Sequence, residues 1–369
     1  MDRKISGLYK EIFTTSERKA KGTELELRID VDGERPLNIV SGDLYSNSGK
    51  TRKYLSSFRF QEVKKTETAA NEIIITGMVG EFDPESSYFT NIQVTIPLNS
   101  YPPKATVQWI SSSGNTSTHL CKYVSDYFRR VQLEHDYEEG VVPFDSYETT
   151  DLSSPPPHRL RPLSITDVFA EAGIKMITVR KKQHSVPHPK GIPGEGSVWT
   201  DNELHDAMLE HFSKLKGTPQ WAVWLLSARE YVFSSAKGIR LRHKGKERRG
   251  CAVFQNAIGW QSPEEKRMRL FIYVHELGHC FNLQHPWDKC GAHSSAETDG
   301  YSTMSWMNYP WTYYLSDESR GAEAFWEAFH FQFSDSELIH LRHGFRNDVI
   351  FGGNTSSEEI NSKSQHCNR

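Results

Sequence analysis

The architecture of the second half of the chain is inferred from one segment, Val274-His-Glu-Leu-Gly-His-Cys-Phe-Asn-Leu-Gln-His285. His275 and His279 are four residues apart, so on an α-helix their side chains lie one turn apart on the same face. Two imidazoles placed in this way can each offer a ring nitrogen to one Zn²⁺. Glu276 points off that line, so we expect it to reach a water molecule without binding the metal. This spacing is typical of a metal-activated hydrolase.

A third histidine, His285, extends the pattern. A continuous helix would carry it about 9 Å further along the axis and onto a different face. To reach the same metal, the chain must leave the helix between Cys280 and Gln284. Asn282 lies in this interval, and asparagine is the non-glycine residue that best tolerates the left-handed conformation that ends helices. Three histidine ligands leave one tetrahedral position open, which is typical of a catalytic zinc site.

The pattern HExxHxxNxxH over residues 275–285 resembles the zinc signature of the metzincin metallopeptidases, with asparagine where the family has glycine. Metzincins also have a methionine-containing turn beneath the zinc, and Ser305-Trp-Met-Asn-Tyr309 resembles that turn. The resemblance implies that Met307 is the methionine of the turn, with Met304 as the alternative. It also implies that Tyr309 approaches the metal.

The resemblance covers residues 161–350 and implies an α+β fold class, with a metzincin-like zinc peptidase domain formed by a twisted mixed sheet and an active-site helix. The expected reaction is hydrolysis of a polypeptide substrate with Zn²⁺ as cofactor, Glu276 as general base and Tyr309 as a possible aid to the oxyanion. The resemblance places a substrate-binding edge strand at residues 250–257. It also implies a closing helix from Trp326 to His343, and the aromatic segment 306–311 is expected to line the specificity pocket.

The residues before this domain read as strands. Thr23 to Gly33 alternates apolar and polar residues and ends at a turn dipeptide, and similar short segments follow up to Tyr137. We therefore expect an all-β, sandwich-like domain over residues 1–137. A proline-rich linker is expected over 138–160 and a disordered tail over 351–369.

The second half shows helix and strand signals in alternation. Helices are predicted to begin at Ser164, at Thr200 with a capping box to Glu203, and at Pro263. A buried strand is predicted at Trp221, a strand nearer an edge at Cys251, and a further strand at Ile174 after the first helix.

Composition limits the classes of partner. The 369 residues include 44 basic and 47 acidic side chains, and this near balance argues against nucleic acid or an anionic membrane surface as a partner. The N-terminus has no apolar core of the kind that secretory signals have, so the chain is expected to stay inside the cell, to leave by another route, or to have lost a leader. Five cysteines do not make a disulfide scaffold, although Cys280 and Cys290 could pair. The oligomeric state is not predicted.

Two other functions are compatible with the same residues. The chain could be an inactive binding protein that acts through its β-rich domain and retains a vestigial metal site, but the intact Glu276 favours an enzyme. It could also be a zinc amidohydrolase that acts on small amides. The basic segment 240–249 is interpreted as a solvated loop, and His184 and His188 as surface residues.

Overall fold

The computed structural model describes residues 4–13, 23–46, 52–61, 63–78, 80–83, 89–99, 101–111, 113–150, 152, 161–181, 184–190, 197–241, 248–288, 300–313 and 321–354. Residue contacts divide the chain into two compact units, one formed by Met1–Arg129 with Leu338–Arg346 and the other by Arg130–Glu337 with Asn347–Arg369. The proline-rich residues 153–160 of the expected linker and residues 355–369 of the expected tail lie outside the described residues.

The first unit contains one antiparallel sheet of ten strands in the order β5-β6-β8-β9-β10-β1-β2-β3-β4-β7. The strands are β1 Gly7–Glu11, β2 Thr23–Asp30, β3 Ile39–Ser46, β4 Lys53–Phe60, β5 Lys64–Glu67, β6 Glu72–Met78, β7 Gly80–Asp83, β8 Phe89–Pro97, β9 Lys104–Ser111 and β10 Thr116–Ser125.

The sheet curls so that its apolar face is covered by its own strands. In β9, Ala105, Val107 and Trp109 alternate with less buried neighbours and point into the core. Trp109 meets Phe58 of β4 with ring centroids 4.4 Å apart, although these strands are not neighbours in the sheet. A large twisted antiparallel sheet can cover its apolar side by curling, so this unit needs no second sheet.

The predicted α+β fold class is wrong. The molecule is mostly β, because the curled ten-stranded sheet dominates and only 23% of the described residues are helical. This differs from an α+β metzincin peptidase domain. The expected β-sandwich is also replaced by a single sheet, since strand periodicity identifies an inward face without specifying which strands cover it.

The second unit contains a sheet in the order β14-β11-β16-β18-β17, with β15 paired to β11. The strands are β11 Arg129–Glu138, β14 Ile174–Thr178, β15 Ser185–Val186, β16 Ala222–Ala228, β17 Gly238–Arg240 and β18 Gly250–Phe254; β12 Tyr147–Glu148 and β13 Pro162–Leu163 form a separate pair. Strands β11, β16 and β18 are parallel, and β17 is antiparallel to β18.

Two details of this sheet differ from the sequence-based expectation. The predicted edge at residues 250–257 is instead β18, which lies between β16 and β17 and is buried along its whole length. The short strand β17 occupies the end of the sheet. Strand β11, which had been counted with the N-terminal domain, pairs with strands of the second unit.

The helices are α1 Ile165–Glu171, α2 Asp201–His211, α3 Pro263–Cys280, α4 Gly321–Ala328, α5 Asp335–His343 and α6 Arg346–Val349. The capping box predicted between Thr200 and Glu203 is confirmed. The single closing helix predicted from Trp326 to His343 is wrong. The chain is interrupted between α4 and α5, where Phe331 has a positive φ of 57°. Within the described ranges, no helix combines the length and apolar character needed to cross a membrane.

Candidate metal centre

Helix α3 carries the first two histidines, and its sequence explains where it begins. Ser262 is the N-cap, and it forms a capping box with Glu265. Pro263 occupies the first turn, where a missing N–H costs nothing, and two acidic residues there complement the positive end of the helix dipole. The later turns are buried almost completely, and they contain His275, Glu276 and Gly278.

Helix α3 ends before His285, in the interval where the sequence predicted that the chain leaves the helix. Asn282 has a φ of 70°, in the left-handed region. Its amide donates to the carbonyl of His279 at 2.9 Å, and the amide of Leu283 donates to the carbonyl of Gly278 at 3.0 Å. These two bonds form a Schellman motif, which reverses the chain and brings His285 back toward α3.

The three imidazoles converge through their Nε2 atoms. Nε2 of His279 lies 3.0 Å from Nε2 of His275 and 3.1 Å from Nε2 of His285. In a tetrahedral zinc site with Zn–N bonds of about 2.0–2.1 Å, two nitrogen ligands lie roughly 3.3 Å apart. The separations therefore match those of nitrogens that share one ion.

Each imidazole donates a hydrogen bond from its Nδ1–H group to an acceptor held in place by the protein. Nδ1 of His275 donates to the carbonyl of Trp306 at 2.8 Å, and Nδ1 of His279 donates to the carbonyl of Leu283 at 2.8 Å. Nδ1 of His285 donates to the carboxylate of Asp288 at 2.6 Å. Because each acceptor holds a proton on Nδ1, a ring in its neutral form presents a lone pair at Nε2. Three lone pairs facing one another repel unless a cation lies between them, so the donor set fits a metal ion.

The electrostatic environment keeps two of these rings neutral. Burial, together with the nearby His285, lowers the pKa of His275 to about 3. Burial and the other two imidazoles hold the pKa of His279 well below its usual value. Since imidazole binds a metal only when it is unprotonated, both shifts favour metal binding at neutral pH.

Glu276 lies against the edge strand of the sheet. A Cβ atom added to Gly238 of β17 would come within 2.7 Å of Cγ and 2.9 Å of Oε1 of Glu276. The carboxylate therefore occupies the space that the glycine leaves open. The side chain is 8% exposed, so it is held in place by its surroundings while retaining access to solvent.

The turn beneath the histidines contains Met307, which is fully buried. Its sulfur packs so closely on Gly278 that no Cβ fits there, whereas Met304 is only half-buried. The structure thus places Met307, rather than Met304, against the metal-binding helix.

Tyr309 lies beside two histidines of the triad. Its ring centroid is 5.0 Å from that of His275 and 4.8 Å from that of His285. Burial raises the pKa of Tyr309 to about 12, with further contributions from the charges of Glu276 and Asp288. The phenol therefore keeps its proton at neutral pH and can act as a hydrogen-bond donor.

The expected specificity wall over residues 306–311 is only partly formed. Trp306 is completely buried and packs on Phe271 and Phe329, so it belongs to the core. Trp311 is 47% exposed and stacks on Tyr309 at 4.8 Å. A tryptophan that packs in the core cannot select a substrate side chain, which leaves Trp311 as the accessible indole of this segment.

Sequence reasoning missed a second aromatic stack and one carboxylate. Trp287 stacks on His285 at 4.6 Å, and Tyr301 stacks on Trp287 at 5.1 Å. Asp288 binds the Nδ1 atom of His285. The sequence signal for Asp288 was its position three residues after His285, next to Trp287. A metal-bound histidine usually donates a hydrogen bond from its second ring nitrogen to a nearby acceptor.

Other residues singled out from the sequence lie apart from this cluster. His184 pairs with Asp136 and His188 with Glu138, and both carboxylates belong to β11. In the described part of the basic segment, Arg248 is buried rather than solvated, and it donates to the carbonyl of Cys280 at 3.1 Å. Residues 242–247 and Cys290 lie outside the described residues, and Cys280 is a free thiol.

The three histidines are the group of side chains in the described regions that fits a metal ion. Neither the models of known protein families nor the curated protein sequences match this chain, so the interpretation of the metal centre depends on its geometry.

Proposed function

We propose that this protein is a zinc-dependent endopeptidase, with His275, His279 and His285 as metal ligands and Glu276 as general base. The observation that carries the proposal is the convergence of three Nε2 atoms on one point, in rings whose Nδ1 atoms each face an acceptor elsewhere. Such a donor set binds zinc and leaves one tetrahedral position open. When bound, Zn²⁺ supplies Lewis acidity, which polarises a carbonyl group and makes water nucleophilic near neutral pH.

Glu276 moves the proton. Its carboxylate takes a proton from the attacking water as the new carbon–oxygen bond forms at the scissile carbonyl. It then passes that proton to the departing amine as the carbon–nitrogen bond breaks. Its position beside Gly238 keeps Oε1 off the line of the two helical histidines, which suits a base rather than a ligand.

Tyr309 assists at the carbonyl oxygen. Because its pKa is raised to about 12, the phenol is protonated throughout the neutral range. Its O–H donates a hydrogen bond to the negative charge that develops on the oxygen of the tetrahedral intermediate. Its contact with the rings of His275 and His285 is consistent with this role.

A polypeptide is the substrate that fits the surroundings best. Strand β17 pairs with β18 on one side, and within the described residues no strand pairs with its other side. That side offers backbone groups to an extended chain. The half-exposed rings of Trp311 and Tyr301 provide apolar surface near the metal ligands for a substrate side chain.

The test compares wild type with Glu276→Gln for zinc content and for cleavage of an unstructured protein. We expect Glu276→Gln to retain zinc and to lose about 10²- to 10⁴-fold in rate, because a general base is removed while the ligands remain. Glu264→Gln, at an exposed position of the same helix, is the matched control and is expected to cleave normally.

Three outcomes would contradict the proposal. Equal rates for Glu276→Gln and wild type would show that Glu276 is not the base. If the purified protein takes up no zinc, zinc is not its cofactor. Cleavage of small amides without cleavage of polypeptide would instead indicate an amidohydrolase.

A further inference from the structure

A buried carboxylate, Glu337, holds the turn that carries Met307. Its Oε1 accepts a hydrogen bond from the hydroxyl of Ser305 at 2.7 Å. The Ser305 oxygen in turn accepts from the amide of Met307 at 2.9 Å. Glu337 is 1% exposed and Ser305 is completely buried, so neither group can exchange its partner for water.

The same carboxylate also caps helix α5. The amide of Ser334 donates to Oε2 of Glu337 at 2.8 Å, and the amide of Glu337 donates to the hydroxyl of Ser334 at 3.4 Å. A cap of this kind needs only one carboxylate oxygen. The second oxygen is used for the turn, which a capping role alone does not explain.

The turn transmits this constraint to a metal ligand. Trp306 lies between Ser305 and Met307, and its carbonyl accepts the Nδ1 proton of His275. The position of that carbonyl determines the orientation of the imidazole and keeps its Nε2 unprotonated. The indole of Trp306 is fixed by aromatic packing, and Ser305 and Glu337 fix the polar side of the turn.

The chemistry requires a carboxylate at this position. Both oxygens of Glu337 face donors, namely the hydroxyl of Ser305 and the amide of Ser334. A glutamine has one acceptor oxygen, so its NH₂ group would face one of these donors. Burial of a polar group is costly unless it is hydrogen-bonded, and these two bonds offset that cost.

We infer that Glu337 is a positioning residue of the metal centre, acting through Ser305 and the Trp306 carbonyl to orient His275. The inference rests on the proposed zinc site, and it adds a residue more than fifty positions downstream of the ligands. Glu337 touches neither metal nor substrate, so its effect is expected on metal affinity and ligand geometry.

The test uses the full chain with three variants. Glu337→Gln removes one of the two acceptor bonds, and Ser305→Ala removes the link to the turn while leaving the α5 cap intact. The control is Glu203→Gln, because Glu203 forms the same kind of capping box with Thr200 at the start of α2. Zinc affinity is measured by competition with a chromogenic chelator, ligand geometry by the visible spectrum of the Co²⁺-loaded protein, and folding by thermal unfolding of the metal-free protein.

We expect Glu337→Gln and Ser305→Ala to bind zinc about 10- to 100-fold more weakly and to alter the Co²⁺ spectrum, as removal of a partner that orients a ligand does. Glu203→Gln is expected to keep wild-type affinity and spectrum. If Glu337→Gln fails to fold, Ser305→Ala carries the test by itself.

Folded variants with wild-type zinc affinity and an unchanged Co²⁺ spectrum would reduce Glu337 to a helix cap and overturn the inference. That result would leave the proposed function standing, because wild type would still bind zinc. Wild type that binds no zinc would instead overturn the proposed function.

Discussion

Two hydrogen-bonded groups of side chains, one around His343 and the other formed by the histidine triad, differ in one respect. In the first unit, His343 accepts from the hydroxyl of Ser41 at Nδ1 and donates to Asp30 from Nε2, at 2.9 and 3.1 Å. In the second unit, each histidine of the triad has an acceptor for Nδ1, but each Nε2 faces another Nε2. Both ring nitrogens of His343 therefore face complementary groups of the protein, whereas the Nε2 atoms of the triad face one another. Unmatched lone pairs, rather than burial, therefore distinguish a binding site from a structural network.

The two arginines of the network around His343, Arg28 and Arg342, are also paired with carboxylates. Nε of Arg28 donates to the oxygen of Ser41 at 3.0 Å, and its Nη1 forms a salt bridge with Asp43 at 2.7 Å. Arg342 forms a salt bridge with Asp30 at 3.0 Å. Every charge in the cluster has an opposite charge beside it, so no ligand is needed to stabilise it.

The largest effect is expected from His279→Ala, which removes one histidine of the triad. The variant should lose zinc and about 10³-fold or more in peptidase rate, since Lewis acidity contributes several kcal/mol to such reactions. The metal-free variant should lose no more stability than the single bond to the Leu283 carbonyl supplies, because the repulsion between the Nε2 lone pairs is relieved at the same time.

The matched change in the His343 network is His343→Ala. For this variant we expect the protein to lose stability and to keep its zinc. Zinc is retained, while stability falls by roughly 1–3 kcal/mol for each partner left unsatisfied at Ser41 and Asp30. Zinc analysis and urea unfolding of both variants provide the comparison. A loss of stability in metal-free His279→Ala as large as that in His343→Ala would contradict the distinction, because the first change leaves one partner unsatisfied and the second leaves two.

An intermediate effect is expected from acid. Burial lowers the pKa of His343 to about 4 despite the opposing influence of Asp30. Between about pH 6.5 and pH 4, the unfolded chain binds a proton at this histidine that the folded chain does not. Stability is therefore fully present above about pH 6.5 and is lost as the pH falls toward 4, by about 3 kcal/mol in total.

Urea unfolding across this pH range measures the loss, with His343→Gln as the comparison. The variant has no titrating group at this position, so its stability should fall less steeply with acid. Identical slopes for the two proteins would exclude His343 as the source.

A smaller effect is expected from Gly238→Ala. This change displaces the proposed general base, Glu276, and alters none of the three histidines. The added methyl group lies 2.7 Å from Cγ of Glu276 and 2.7 Å from Cγ2 of Ile272, so both side chains must shift. A displacement on the order of 1 Å costs about 100-fold in rate while zinc binding is unchanged. Gly217→Ala is the control, because a Cβ there meets nothing within 4 Å. Rate and zinc content should be measured together, and a normal rate would show that Glu276 tolerates the shift.

Local signals allowed part of this site to be predicted. The capped start of α3, the 275–279 spacing and the left-handed Asn282 depend on residues close together in sequence, and the structure has all three. Met307 was favoured over Met304 by resemblance to a motif, and the structure places it against Gly278.

Long-range pairing explains what could not be predicted. Glu134, Asp136 and Glu138 are buried in β11, although acidic side chains are usually exposed. Their partners include Lys181, Trp224 and Trp199, between 45 and 88 positions away. Strand β17 is only three residues long and shows no alternation, and the curl of the ten-stranded sheet depends on contacts between distant strands such as Phe58 with Trp109.

Under the proposed function, the hydrogen bond from His275 to Trp306 would make metal uptake a measure of folding. The acceptors for His279 and His285 lie three or four residues from their donors, whereas the acceptor for His275 lies 31 positions away. A fragment ending soon after His285 would contain all three ligands but would lack the group that orients the first one. During refolding, tight zinc capture should therefore follow the docking of the 305–307 turn on α3, so the appearance of the high-affinity site can be used to time that docking.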